Sequence, residues 1–267
     1  MRRHPIAAVA ALVLALVPLL SACRPDGVRL AFRPATGAQY AYRVEVHAEV
    51  VTRIGDTEER RRVDDDVLFA DHAVLAGSGR SSRVQVRLRG EGEGQPTRTF
   101  VVSLDRAAQL AEVQRIEGLP ASALGTLGLS EIFPAAAGAP PDRRLSPGDR
   151  WEVDEPVTLP GTKPARLRGE GRLVELGVVD GRDVARIDTS YRLPVQRTSD
   201  EEQGRIVLEG EQVVRALTTS SVDDGAVESA ETETTGRFTL RLLPTGGGAA
   251  VPGVLEIVVR SVTTRLR

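Results

Sequence analysis

Apolar and polar positions alternate with period two along most of the chain. Tyr40, Tyr42, Val44, Val46, Ala48 and Val50 interleave with Arg43, Glu45, His47 and Glu49. Successive side chains of a strand point to opposite faces, so this stretch predicts a strand with one wet face. Gly55-Asp56 and the charged run Thr57–Arg62 predict a turn, with a second strand around 63–75. Val84, Val86 and Leu88 alternate with Arg83, Gln85, Arg87 and Arg89. The glycine-rich 90–94 stretch predicts a hairpin loop, Phe100, Val102 and Leu104 a return strand, and Leu110–Ile116 one more. Together these form an antiparallel meander with one apolar face.

From Pro120 the period changes. Ala121, Leu124, Leu127, Leu129, Ile132 and Phe133 predict a short helical segment, weakened by Gly125 and Gly128. Ala135–Pro147 is rich in Ala, Gly and Pro and reads as a connector. A second meander begins at Trp151. Turn signals recur at Gly161, Asp180-Gly181, Asp200–Gly204, Asp224-Gly225 and Gly246–Gly248, and predict strands near 166–178, 183–195, 204–220, 226–242 and 254–266. The hairpin at 218–235 carries Thr, Ser and Glu on both faces, so its tip is expected to project from the core. Gly37-Ala38-Gln39-Tyr40 and Gly148-Asp149-Arg150-Trp151 each place a large aromatic three residues after a glycine. These matching steps hint at an internal duplication.

The predicted fold class is all-β: a long antiparallel meander in two halves with one short helical segment. The organisation is a signal peptide over 1–22, a tether over 23–36, a first meander over 37–116, a helical segment and connector over 117–147, and a second meander over 148–267. Each half has one apolar face that must be covered. If the halves cover each other, the result is a closed sandwich or barrel. If they form one curved half-barrel, the 117–133 segment sits against its hollow side. The closed form is the expectation, because Leu124, Leu127, Leu129, Ile132 and Phe133 are too few to cover some ten strands.

The N-terminus reads as an export signal. Arg2, Arg3 and His4 precede an apolar run of 15 residues, Ile6–Leu20, which is shorter than the roughly 20 a membrane-spanning helix needs. The run ends in Leu20-Ser21-Ala22-Cys23, which resembles the bacterial lipobox. That resemblance implies acylation of Cys23, a mature chain that starts there, and a membrane anchor of two or three acyl chains at about 0.8 kcal/mol per buried CH₂. Residue 24 is Arg rather than Asp, which leans toward the outer membrane if the host has two. The expected location is therefore the extracytoplasmic side of the cell envelope.

Three features taken together resemble a group of bacterial lipoproteins of unknown function. These are the Cys23 lipobox, the strand opening Gly37-Ala38-Gln39-Tyr40-Ala41-Tyr42, and the step Leu145-Ser146-Pro147-Gly148-Asp149-Arg150-Trp151. The resemblance implies long antiparallel meanders with a Pro-Gly-Asp-x-Trp step between halves, and brings no activity with it. A looser likeness is to the LolA/LprG-type half-barrels, lipid carriers that hold acyl chains between a curved sheet and helices. This chain departs from them in having a single short helical segment.

The chemical inventory is thin. Without its first 22 residues the chain keeps 245 and a formal net charge of −4, because Arg2 and Arg3 leave with the signal. That balance, with nine aromatic residues, argues against nucleic acid as a partner. The single Cys excludes an internal disulfide and a Cys-based zinc site. No His-Glu-x-x-His, Gly-x-Ser-x-Gly or P-loop motif occurs. His47 reads as a solvated surface residue, and Trp151 as a core plug at the start of the second meander. Asp64-Asp65-Asp66 lacks calcium-loop spacing and is neutralised by Arg60-Arg61-Arg62. Asp223-Asp224-Gly225 reads as a turn.

No catalytic, cofactor or metal residues are assigned, and the protein is not read as an enzyme. The leading expectation is a lipid-anchored structural or interaction module of the envelope. The alternative is a carrier of an apolar ligand or lipid, with Leu124, Leu127, Leu129, Ile132 and Phe133 as lid or ligand-contacting residues. A hydrolase ranks third. The expected partners are the membrane, through the acyl chains on Cys23, and an envelope protein or lipid.

Overall fold

The computed structural model describes residues 27–78, 81–92, 97–105, 110–117, 140–157, 165–201 and 204–267. They form one antiparallel sheet of eleven strands. In chain order these are β1 (Gln39–Ile54), β2 (Thr57–Ser78), β3 (Ser81–Gly90), β4 (Arg98–Asp105), β5 (Leu110–Glu117), β6 (Arg150–Val157), β7 (Ala165–Val179), β8 (Arg182–Glu201), β9 (Gly204–Ser221), β10 (Val227–Pro244) and β11 (Val251–Leu266). The sheet order is β5-β4-β3-β2-β1-β11-β10-β9-β8-β7-β6.

The all-β expectation holds, and the closed form does not. The two meanders are not two facing sheets. They join edge to edge through β1 and β11, in unbroken register from Ala41↔Leu266 to Ile54↔Gly253. The pairing runs almost the full length of both strands, so each satisfies the other's backbone N–H and C=O groups. The sheet is left open, with β5 and β6 as its edges. The short helical segment expected over 121–133 lies outside the described residues, as do Cys23 and the signal peptide expected over 1–22.

Two turn readings are corrected. Thr57–Arg62 is not a loop but the first third of β2; Gly55-Asp56 alone makes the turn. Its charges pair across strands, as in Arg53 with Glu58 at 2.8 Å and Arg60 with Glu49 at 3.5 Å, so a charged run suits a strand here. The β9–β10 hairpin does not project. Ala226 and Val227 at its tip are buried, and so are Thr218, Ser220, Thr232 and Thr234 beside it.

One face of the sheet is charged. Arg260 pairs with Glu233 at 2.9 Å, Arg166 with Asp154 at 2.7 Å, and Arg53 also with Glu256 at 2.8 Å. Exposed pairs of this kind contribute about 0–1 kcal/mol each, so they set which face is wet more than how stable the fold is. Some leave a titration signature. The Ser146 N–H and then Arg143 hold the Asp149 carboxyl below its ordinary range; Arg166 does so for Asp154 and Arg53 for Glu58. A depressed carboxylate stabilises the fold above its unfolded pKa and loses that contribution as pH falls through its folded one. The melting temperature is therefore expected to hold from neutral pH to about pH 5 and to fall below about pH 4. Asp149→Asn should flatten that acid limb; an unchanged limb in thermal melts would refute the assignment.

The duplication hinted at by the sequence is present in the backbone. Ala38 N–H donates to Ala35 O at 3.0 Å, and Asp149 N–H to Ser146 O at 3.0 Å. In each turn the third residue is a glycine at positive φ, Gly37 at 86° and Gly148 at 96°, as a type II turn requires. Gly37 and Gly148 then donate to Val74 O and Leu173 O, while Val74 and Leu173 donate back to Ala38 O and Asp149 O. A β-bulge follows directly after Val74 in β2 and directly after Leu173 in β7. Tyr40 and Trp151 open the two units, and each enters a separate apolar cluster. The entry to β1 and β2 is thus repeated at the entry to β6 and β7, and β11 joins β1 to β10.

Candidate functional site

The site is built on the face opposite the charge ladder. Its foundation is a strap, residues 27–38, in the stretch expected to be a free tether. Val28 bridges to Leu145 beyond the β6 edge. Arg33 N–H donates to Asp224 O in the β9–β10 turn at 2.7 Å, and Gly37 N–H to Val74 O at the end of β2. The strap therefore crosses the strand ends from one unit to the other. Extended chain advances about 3.3 Å per residue, so Val28 to Gly37 reaches about 30 Å, close to the width of the strands it passes. Leu30, Ala31, Phe32 and Pro34 face the sheet and are buried, while Arg29 and Arg33 face water.

The strap ties together two apolar clusters. Phe32 packs into the first, with Tyr40, Tyr42, Val44 and Val46 of β1, Val84 and Val86 of β3, and Phe100, Val102 and Leu104 of β4. Leu30 packs into the second, with Leu145, Trp151, Val153, Leu167, Leu173 and Ile187. Trp151 is the core plug that the sequence predicted. It lies flat over Gly171 of β7, where an added Cβ would sit 2.3 Å from Trp151 Cε2.

A polar latch fixes the strap end. The Tyr40 hydroxyl donates to Asp224 Oδ2 at 3.0 Å, and Ala226 N–H donates to Asp224 Oδ1 at 3.0 Å. The Arg265 guanidinium lies 4.8 Å above the Tyr40 ring and pairs with Glu228 at 2.6 Å. Burial, then the Asp224 charge, raises the Tyr40 phenol well above its ordinary range, and burial does the same for Tyr42. Both phenols stay neutral at any physiological pH and act as structure. Asp224 is thereby a buckle, which agrees with reading Asp223-Asp224-Gly225 as a turn. His47 is exposed as expected; His72 is buried, its ring 4.9 Å from that of Tyr42.

Between the clusters runs a band that sequence reading missed. Thr189 of β8, Thr218 of β9, Thr232 and Thr234 of β10, and Ser261 and Thr263 of β11 are all buried on the strap face. Register makes them neighbours: Thr232 is opposite Ser261, Ala230 is opposite both Thr218 and Thr263, and Thr234 is opposite Val259. Thr189 Oγ1 donates to Ala216 O at 3.3 Å. Thr218 Oγ1, Thr234 Oγ1 and Ser261 Oγ are buried with no hydrogen-bond partner. An unpaired buried hydroxyl costs about 1–3 kcal/mol, and valine would fill a threonine site in a strand without that cost. Three such sites on adjacent strands are therefore a feature rather than an accident of packing.

Among the described residues no group of three His, Cys, Asp or Glu gathers to hold a metal. On the charged face a shallow groove of about 410 Å³ runs across β7 to β11, lined in part by Val178, Val179, Leu217, Glu231 and Val262. The sequence-predicted residues Cys23, Leu124, Leu127, Leu129, Ile132 and Phe133 lie outside the described residues. Compared with known proteins, the chain matches no protein-family model and no curated protein.

Proposed function

We propose that the protein is a lipid-anchored envelope protein that carries an apolar, acyl-bearing ligand on the strap face of its sheet. One observation carries this reading: the halves form a single open sheet rather than two facing ones, and its inward face is an apolar wall that includes Val44, Val84, Phe100, Val102, Leu173 and Ile187, all buried. A sheet of eleven strands presents that face over about 50 Å, and the described cover is one strap across the strand ends. A wall of Val, Leu, Phe and Ala on this scale suits an acyl chain as a packing partner. The Cys23 lipobox supports placing the protein at a membrane, where such ligands are found.

The chain from Arg24 onward keeps every described element and can be produced in bacteria without its anchor. Organic extraction of the purified protein is expected to release about one equivalent of acyl lipid, read by mass spectrometry. An empty protein that still unfolds cooperatively would overturn the carrier reading. It would favour the interaction module, for which the exposed Val178, Val179 and Val262 beside the charged-face groove are the supporting feature.

A further inference from the structure

The two ends of the sheet differ in what they show to water. Among the described residues, the large apolar side chains that stay exposed are Leu75, Val178, Val179, Val262 and Leu266 in the strap half of their strands, and Leu243 toward the other end. That other end turns through Gly55-Asp56 and Gly246-Gly247-Gly248, with Arg205 paired to Asp200 at 2.8 Å. We infer that the strap end seats on a lipid bilayer, with Val178 and Val179 at the tip of the β7–β8 hairpin entering the boundary between headgroups and acyl chains; this rests on the lipid-anchored part of the reading above.

The hairpin reaches past its neighbours. β6 pairs with β7 only as far as Arg172, and the β8–β9 ladder stops at Val184. β7 and β8 go on pairing with each other to Val179↔Arg182. Asp180 at φ 51° and Gly181 at φ 77° close the turn with the two positive angles of a tight hairpin. Consecutive strand residues point to opposite faces, so Val178 and Val179 make the tip apolar on both sides. They are 66% and 44% exposed. Exposed apolar surface that gathers at one place marks a contact with a protein or a membrane.

Three features select the membrane. The first is connectivity. The described chain begins at Gly27, so residues 1–26, with the apolar run Ile6–Leu20 and Cys23, join the protein at this end. Val28 bridges to Leu145, and Gly148 of the same step donates to Leu173 O of β7. Leu173 is six positions before Val179, about 20 Å of strand. The second is shape. A tip that is apolar on both faces is covered by a medium that surrounds it, as acyl chains do, whereas a flat protein surface would cover one side. The third is charge. Asp180 at the tip pairs with Arg267, and Arg182 with Glu228 at 3.2 Å. Asp183 and Asp223 have no ion pair among the described residues and belong in water. They limit the seating to an interfacial depth of about 5–10 Å and leave no cation at the tip to draw an acidic partner.

The test separates seating from acylation. The chain from Arg24 onward carries an N-terminal polyhistidine tag and is held on phosphatidylcholine vesicles through a nickel-chelating lipid. It has no cysteine of its own. Val178→Cys, Val179→Cys and Leu243→Cys therefore each take a single environment-sensitive NBD label. The labels at Val178→Cys and Val179→Cys are expected to shift to the blue on the vesicles, and to lose fluorescence when the lipid acyl chains carry a nitroxide quencher. The label at Leu243→Cys, exposed at the far end, should do neither. High salt should leave the response intact, because an apolar contact is not screened. Tip labels that stay unshifted and unquenched, or that respond no more than Leu243→Cys, would overturn the inference and leave these valines to an envelope protein. A response abolished by salt would overturn it too, since adsorption by charge would then account for the binding. Urea unfolding checks each labelled variant, and should one tip variant misfold, the other decides. Because the nickel tether replaces the acyl chains, a failure of the anchored reading shows in the mass of the native N-terminus and not in this response.

Discussion

Gly225→Ala is expected to destabilise the protein by about 3 kcal/mol. Two costs combine. Gly225 has φ of 72°, where an L side chain costs about 1–2 kcal/mol. Its added Cβ would also sit 2.3 Å from Ala31 O and 2.8 Å from Phe32 Cα. Those are backbone atoms of the strap, so no rotamer change relieves the contact. The turn cannot retreat either, since Gly225 N–H donates to Ser221 O at 3.0 Å and Asp224 holds Arg33 N–H, Ala226 N–H and the Tyr40 hydroxyl. The strap must lift instead, and with it Phe32 and Leu30, whose full burial is worth about 1.5–3 kcal/mol each. Gly37→Ala is the control: φ is 86° but nothing lies within 4 Å of the added Cβ, so only the backbone cost of about 1 kcal/mol should appear. Urea unfolding of both variants makes the comparison. Equal losses would mean that the strap yields freely and does not clamp the two units together.

Much of the fold was legible because a strand writes its faces into the sequence at period two. β1 and β11 could be read residue by residue, and the type II turns at Gly37 and Gly148 showed through a glycine and an aromatic at the same offset. What stayed hidden has physical causes. Whether two meanders stack or join depends on the pairing of β1 with β11, which are some two hundred residues apart in the chain, and no local pattern encodes that contact. The strap looked like a tether because Pro34 and Gly27 signal irregular chain, and irregular chain can be buried when its N–H groups find partners, as those of Val28 and Arg33 do. The hydroxyl band was the most costly omission. Thr218, Thr232, Thr234, Ser261 and Thr263 look like a solvated face when polarity alone is counted. The signal lay in their phase. They share it with Val214, Ala216, Ala230 and Val259, whereas Arg215, Glu231, Glu233 and Arg260 hold the other. When one phase of a strand is charged and the other is Thr and Ser, the hydroxyl phase is the inward one.

Cys23→Ala is expected to change where the protein resides more than any substitution changes how stably it folds. Acylation of Cys23 would contribute about 0.8 kcal/mol for each CH₂ buried in the bilayer, so two or three chains would hold the protein at a membrane. Alanine cannot carry the thioether, and the variant should either keep residues 1–22 or leave the membrane fraction altogether. The strap makes this consequential for the site as well. Its first described residue, Gly27, is fastened by Arg144 to the start of the second unit, with Arg144 Nη1 donating to Gly27 O at 3.0 Å. Cys23 is four positions before Gly27, a stretch that spans at most about 14 Å. An acylated Cys23 therefore keeps the strap end of the sheet within about that distance of the bilayer, close enough for an acyl ligand to pass between the two without a long aqueous path. Detergent phase separation and the intact mass of the N-terminal peptide check the claim together. Wild type should enter the detergent phase with acyl mass on Cys23, and the alanine variant should lack that mass. A mature wild-type peptide with a free Cys23 thiol would remove the anchor, and with it the reason to place the ligand site beside a membrane.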